Sequence, residues 1–210
     1  MSPLFGQKIL DEKDSPINGR VVVVKSVGLG TYIQVEGLTQ SGSVVYDVWN
    51  TTLKKVKRQK PEVTDCLILG LGGGSAAKLV RKYWSNSKIT GVDIDPVFVE
   101  FGKKYMGLDD TKVDIHLQDA TKYIKKDTNK YNLILVDMYV GYKVPLKFTT
   151  SSFIRSVKKL LNKEGIVVFN RLYFGERRKL AESFSEELDK EFKNVKRIYP
   201  EANIMFVCEE

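Results

Sequence analysis

Gly70, Gly72, Gly73 and Gly74 fall in the run LILGLGGGS at 67–75, directly after an apolar segment and directly before a helical one. Glycines there let the backbone turn sharply and approach a ligand, while the following helix start offers unpaired N–H groups to an anion. A dinucleotide-type loop keeps a further glycine where this chain has Ser75. The next acid is Asp93, in GVDIDP at 91–96, at the distance where a strand-end carboxylate accepts from both hydroxyls of a ribose. Asp95, followed by Pro96, has the form of a helix cap instead. Asp119 in LQDA accepts from an adenine amino group or caps the next helix, two compatible roles. Asp137 ends YNLILVD and is followed by Met138, Tyr139, Val140, Gly141 and Tyr142. A glycine loop and three acids therefore come to successive strand ends, an arrangement suited to an adenosyl-bearing cofactor.

These residues need a sheet whose strands end on one rim. Short apolar runs at 65–69, 88–93, 113–117, 132–137 and 166–170 alternate with helical stretches at 75–84, 96–106, 120–125 and 151–161. That alternation predicts an α/β domain with a parallel sheet, right-handed crossovers and a ligand crevice at the carboxyl ends of the strands. A helix at 175–192 and strands at 195–199 and 204–208, joined by a short turn, predict a C-terminal antiparallel hairpin. Before Pro61, residues 1–18 read as a loose lead, and 21–24, 31–35 and 43–48 as a small β meander. The expected division is 1–60 for lead and meander and 61–210 for the cofactor-binding domain.

Composition narrows the classes. The chain has 210 residues, 42% apolar and 29% charged, enough for one well-buried core and unlike a disordered chain. Met1 to Leu10 lacks the layout of a signal peptide and no apolar run is long enough to span a bilayer, so the expected location is cytoplasmic, with no membrane partner. Cys66 and Cys208 sit in apolar runs and read as reduced core residues. His116, the single histidine, lies inside a strand without companion ligands, so no metal site is expected. The basic run Lys54, Lys55, Lys57, Arg58 and Lys60 reads as a solvated helix end rather than a nucleic-acid patch, since no aromatic pattern accompanies it. The net charge of +8 favours anionic partners in general.

With VVYDVW at 44–49, the glycine loop, GVDIDP, QDA and LILVD together, the chain resembles the class I S-adenosylmethionine-dependent methyltransferase superfamily, and within it the spermidine synthase group, from Arg20 onward. The resemblance implies a Rossmann-like fold: a seven-stranded, mostly parallel sheet with its last strand reversed, after a β-rich piece that ends in a helix entered at VVYDVW. It implies a cofactor set of Gly70, Gly72, Gly74, Asp93, Ile94, Asp119, Ala120 and Asp137, with Ala120 near the adenine. Spermidine synthases resemble one another in a GGGDG loop and a DSxDP sequence. Here Gly73 and Val140 stand at two of those acidic positions, and only Asp137 remains of the second motif. Losing two carboxylates weakens the binding of a dication. The leading expectation is therefore methyl transfer from S-adenosylmethionine to a small-molecule acceptor. Asp137 is the candidate catalytic base, and Tyr46 and Tyr139 the candidate substrate contacts. Aminopropyl transfer from decarboxylated S-adenosylmethionine to an altered acceptor is the alternative; a non-catalytic adenosyl-binding module is another. Unpaired edges of the meander suggest a homodimer. The acceptor itself depends on loops around Tyr46, 139–144 and 171–175.

Overall fold

The computed structural model describes residues 6–210, so positions 1–5 of the expected lead lie outside the described residues. Strands β1 (Gln7–Ser15), β2 (Gly19–Ser26), β3 (Gly30–Val35) and β4 (Leu38–Ser41) form an antiparallel sheet in chain order. The run Val21–Val24 is buried on both faces: Val21 and Val23 join Ile33, Val35, Phe98 and Phe101, and Val22 and Val24 join Tyr32.

Two expectations for this region are corrected. Residues 7–15 are a strand, not a loose lead. Its alternating charges hid it, because polar contacts hold it: Lys13 to Glu100, and Asp11 to Lys104 and Tyr105. Residues 43–48 are not a strand but the first turns of helix α1 (Ser43–Gln59), as the resemblance implied. β-Branched residues at Val44, Val45 and Val48 favour a strand locally, but Val48, Trp49, Thr52, Leu53 and Val56 form a helical stripe whose burial overrides that preference. The basic run occupies the end of this helix, where Lys57 and Arg58 complement the last carbonyls.

The main sheet alternates with helices as β5 (Asp65–Leu69), α2 (Ser75–Tyr83), β6 (Lys88–Asp93), α3 (Pro96–Met106), β7 (Asp114–Leu117), α4 (Ala120–Lys126), β8 (Tyr131–Val136), α5 (Ser151–Lys158) and β9 (Leu161–Leu172). Helix α6 (Arg177–Glu191) and the hairpin β10 (Asn194–Ile198) and β11 (Asn203–Glu209) complete it. The order is β10-β11-β9-β8-β5-β6-β7, and β11 is antiparallel to both neighbours while β5 to β9 pair in parallel. This is the expected seven-stranded sheet with one reversed strand.

Two cores flank it. Phe153, Ile154, Phe184 and Leu188 cover one face, whereas Trp49, Leu53, Leu79 and Val80 cover the other. Helix α1 thus packs on the main sheet beside α2, so that layer begins before residue 60. From β5 the chain runs outward to β7 and then returns to β8 on the other side of β5. This reversal opens a crevice at the β5/β8 rim, the usual ligand position in such sheets.

Candidate active site

The crevice is a cleft of about 420 Å³, within the usual range for a small-molecule site. At its floor the chain ends of β5 and β8 touch. Asp137 N donates to Leu69 O at 2.8 Å, and a Cβ on Gly70 would lie 2.1 Å from the Asp137 carbonyl oxygen. With φ of +87°, Gly70 is required by this close approach as well as by the turn. Gly72 N donates to Asp93 Oδ2 at 2.7 Å, which ties the loop to the end of β6.

Asp93 also accepts from Asp95 N at 2.9 Å, and burial pushes its carboxyl up to about 6. Ile94 lies beside it, 42% exposed, an apolar face available to a flat base. Asp95 points away and caps α3 through Val97 N, while Ser15 and Asn18 bind its outer oxygen. Asp119 Oδ1 caps α4 through Thr121 N, and its other oxygen is paired with Lys147. Burial acts to raise this carboxyl, but Lys147 and Thr121 hold it down at about 2. Ala120 is buried next to it in the cleft wall.

Asp137 is held on both oxygens. Trp49 Nε1 donates to Oδ2 and Asn170 Nδ2 to Oδ1, each at 2.8 Å, and Asn170 Oδ1 in turn accepts from Asn203 Nδ2 at 2.7 Å. Burial raises the Asp137 carboxyl above its ordinary range, outweighing the opposing pull of Trp49, Asn170 and the Arg171 charge. Arg171 is itself buried: it donates to the carbonyls of Asn170 and Phe148 and stacks 3.9 Å from the Phe184 ring centroid, but its Nε has no partner. Desolvation lowers that guanidinium to about 10.

Gly70, Gly72, Asp93, Ile94, Asp119, Ala120, Asp137 and Tyr139 all line the cleft. Gly74 instead shapes the loop behind it, with φ of +91° against Leu108. Tyr46 is not brought to the cleft; it packs, partly buried, against the core that α1 and α2 share with the sheet, and its helix neighbours Val45, Val48 and Trp49 line the ligand space. The Tyr139 hydroxyl accepts from Leu172 N at 2.8 Å, so that ring is anchored to β9.

Trp49, Asn170 and Asn203 were not foreseen. Asn170 carried a usable signal, since it stands at a strand end like the three acids. Trp49 and Asn203 reach Asp137 or its partner only through tertiary folding. Among the described residues no cluster of three metal-type side chains occurs.

The residues present fit an adenosyl group. Asp93 has free acceptor capacity in the cleft, Ile94 and Ala120 give an apolar wall, and Gly72, at φ of +54°, lines the cleft with backbone alone.

The fold is Rossmann-like, of the class I methyltransferase type. More narrowly, the spermine/spermidine synthase domain family matches residues 52–208, and the chain belongs to that family. A polyamine aminopropyltransferase of Clostridium perfringens is 27% identical over 157 residues, 71% of this chain and 55% of that relative. The chain thus spans about half the length of this curated relative. Spermidine synthase from Thermotoga maritima superposes with a TM-score of 0.82 at 18% identity, covering 96% of this chain and 72% of that one. Human methyltransferase-like protein 13 in complex with SAH gives 0.62 at 23% identity, covering 79% of each chain. At these identities the two structures share the fold. The expectation of methyl transfer from S-adenosylmethionine gains no support from the curated relative, whose name favours the aminopropyl alternative. No helix among the described residues is long and apolar enough to cross a membrane.

Proposed function

We propose that the chain transfers an aminopropyl group from decarboxylated S-adenosylmethionine to an amine acceptor. The observation that carries this reading is the charge of the cleft. In a chain of net charge +8, it is lined by three carboxylates, Asp93, Asp119 and Asp137, and one cation, Lys147, already paired with Asp119. Such a site attracts a sulfonium with an ammonium tail, whereas the free carboxylate of S-adenosylmethionine would meet no unpaired cationic side chain in the lining of the cofactor half, around Asp93, Asp119 and Asp137. Family membership and the relative's name point the same way.

When bound, the donor supplies an activated carbon for in-line displacement, with 5′-methylthioadenosine as leaving product. Asp93 and the Gly72 backbone hold the ribose end, and Ile94 and Ala120 bracket the base. Asp137 accepts the proton that the attacking amine must lose. Its raised affinity for protons makes it a better base than an exposed carboxylate, and Trp49 and Asn170 fix both its oxygens.

Gly73 favours a second reading, methyl transfer. A Cβ there would lie 2.7 Å from Ile33 Cδ1 and 2.8 Å from Met106 Sδ, so the space of the family's loop acid is filled by packed side chains. Incubation with each donor and a panel of amines tests the choice. Release of 5′-methylthioadenosine supports aminopropyl transfer; S-adenosylhomocysteine instead would replace it with methyl transfer.

A further inference from the structure

The cleft divides along the sheet. Its cofactor half lies over the ends of β5, β6 and β7, where Asp93 and Asp119 sit, and Asp137 marks the border at β8. Beyond Asp137, over β9 and β11, the lining is Tyr139, Tyr142, Asn170, Leu172, Phe174 and Asn203, with no carboxylate. The nearby acids Glu176 and Glu201 are solvent-exposed and outside the lining.

Just outside the same lining, a cation packs on two of its rings. The Arg177 guanidinium lies 4.7 Å from the Tyr142 ring centroid and 4.9 Å from that of Phe174, held between two cleft-lining rings. Its backbone N–H donates to Phe174 O at 3.1 Å, which fixes this end of α6 against the rim. Among the described residues it makes no salt bridge. Lys143 adds a second cation, 5.9 Å from the Tyr142 ring. The charge of Arg177 is also felt at the Tyr139 hydroxyl, where it opposes the effect of burial.

Resting on the aminopropyl reading, we infer that the acceptor is an amine that also carries an anionic group, and that Arg177 selects it. A diamine would bring its second ammonium towards Arg177 with no carboxylate to receive it. An ω-amino carboxylate presents the same nucleophilic nitrogen to Asp137 and an anion to the guanidinium, with which it can form a two-pronged hydrogen bond. The two aromatic rings pre-order the guanidinium, which lowers the entropic cost of that contact.

The test uses a matched pair, 4-aminobutanoate and 1,4-diaminobutane, titrated calorimetrically into the protein saturated with 5′-methylthioadenosine. Tighter binding of the amino acid by tenfold or more is expected, and Arg177→Glu should abolish or reverse the preference. Arg177→Lys should keep its direction. Equal or tighter binding of the diamine by the wild-type chain overturns the inference, as does an unchanged preference in Arg177→Glu. The nucleoside titration in each variant reports that the fold is intact. Failure of the nucleoside to bind the wild type would strike the cofactor reading instead, which keeps the two failures distinct.

Discussion

Removing the Asp93 carboxylate is the sharpest perturbation of the cofactor half. The side chain accepts from Gly72 N at 2.7 Å and Asp95 N at 2.9 Å, and in the bound state it takes the ribose hydroxyls as well. A hydrogen bond to a charged group contributes about 1.5–3 kcal/mol net. Truncation to alanine admits water, which resolvates the hydroxyls and recovers part of that, leaving a loss of about 2 kcal/mol in binding. At about 1.4 kcal/mol per tenfold, Kd for 5′-methylthioadenosine should rise roughly thirtyfold. Calorimetry on Asp93→Ala at pH 7.5 reads this directly, below the melting point of the variant, since Gly72 N and Asp95 N also lose their acceptor. A folded variant with unchanged Kd would refute the ribose role.

The same carboxyl sets a pH dependence. Only the ionised form accepts two hydroxyls, so nucleoside affinity should be flat above about 6 and fall towards tenfold per unit below it, as seen by titration from pH 8 to 4.5. Its contribution to folding has the opposite sense: burial raises the value, so that contribution is fully present below the ordinary 3.8 and lost as pH rises through about 6. Asp137→Asn should cut turnover by about 10²–10⁴ with nucleoside Kd changed less than threefold; activity near wild type would remove Asp137 as the base. Gly70→Ala places a methyl group on the Asp137 carbonyl at a positive φ. A cost of about 3 kcal/mol or more should lower the melting temperature by roughly 6–12 °C, and calorimetric melting at wild-type temperature would contradict that close approach.

The main sheet was legible because each parallel strand is a short apolar run followed by a loop residue with a recognisable task. Asp93, Asp119 and Asp137 were located by that rule alone, and the Asp95–Pro96 cap by local chemistry. The N-terminal part was less legible, for two physical reasons. Strand β1 is held by charged and hydroxyl contacts to α3 and its cap, including Ser15 on Asp95, which leave no apolar alternation to detect. Local propensity at 43–48 pointed to a strand, yet the buried stripe of α1 extends well past that window. Trp49, which bonds Asp137, and Asn203, which bonds its partner Asn170, were hidden because they come from α1 and β11, far from Asp137 in sequence. Arg177 belongs to a charged run at a helix start, and only the fold shows its guanidinium between Tyr142 and Phe174.

The central claim is that this cleft takes an adenosyl sulfonium with a cationic tail. Matched calorimetric titrations with decarboxylated S-adenosylmethionine and with S-adenosylmethionine, at one pH and low ionic strength, test it most directly. Tighter binding of the decarboxylated form is predicted, with the difference shrinking as salt is added. Tighter binding of S-adenosylmethionine would contradict the account and return the chain to methyl transfer.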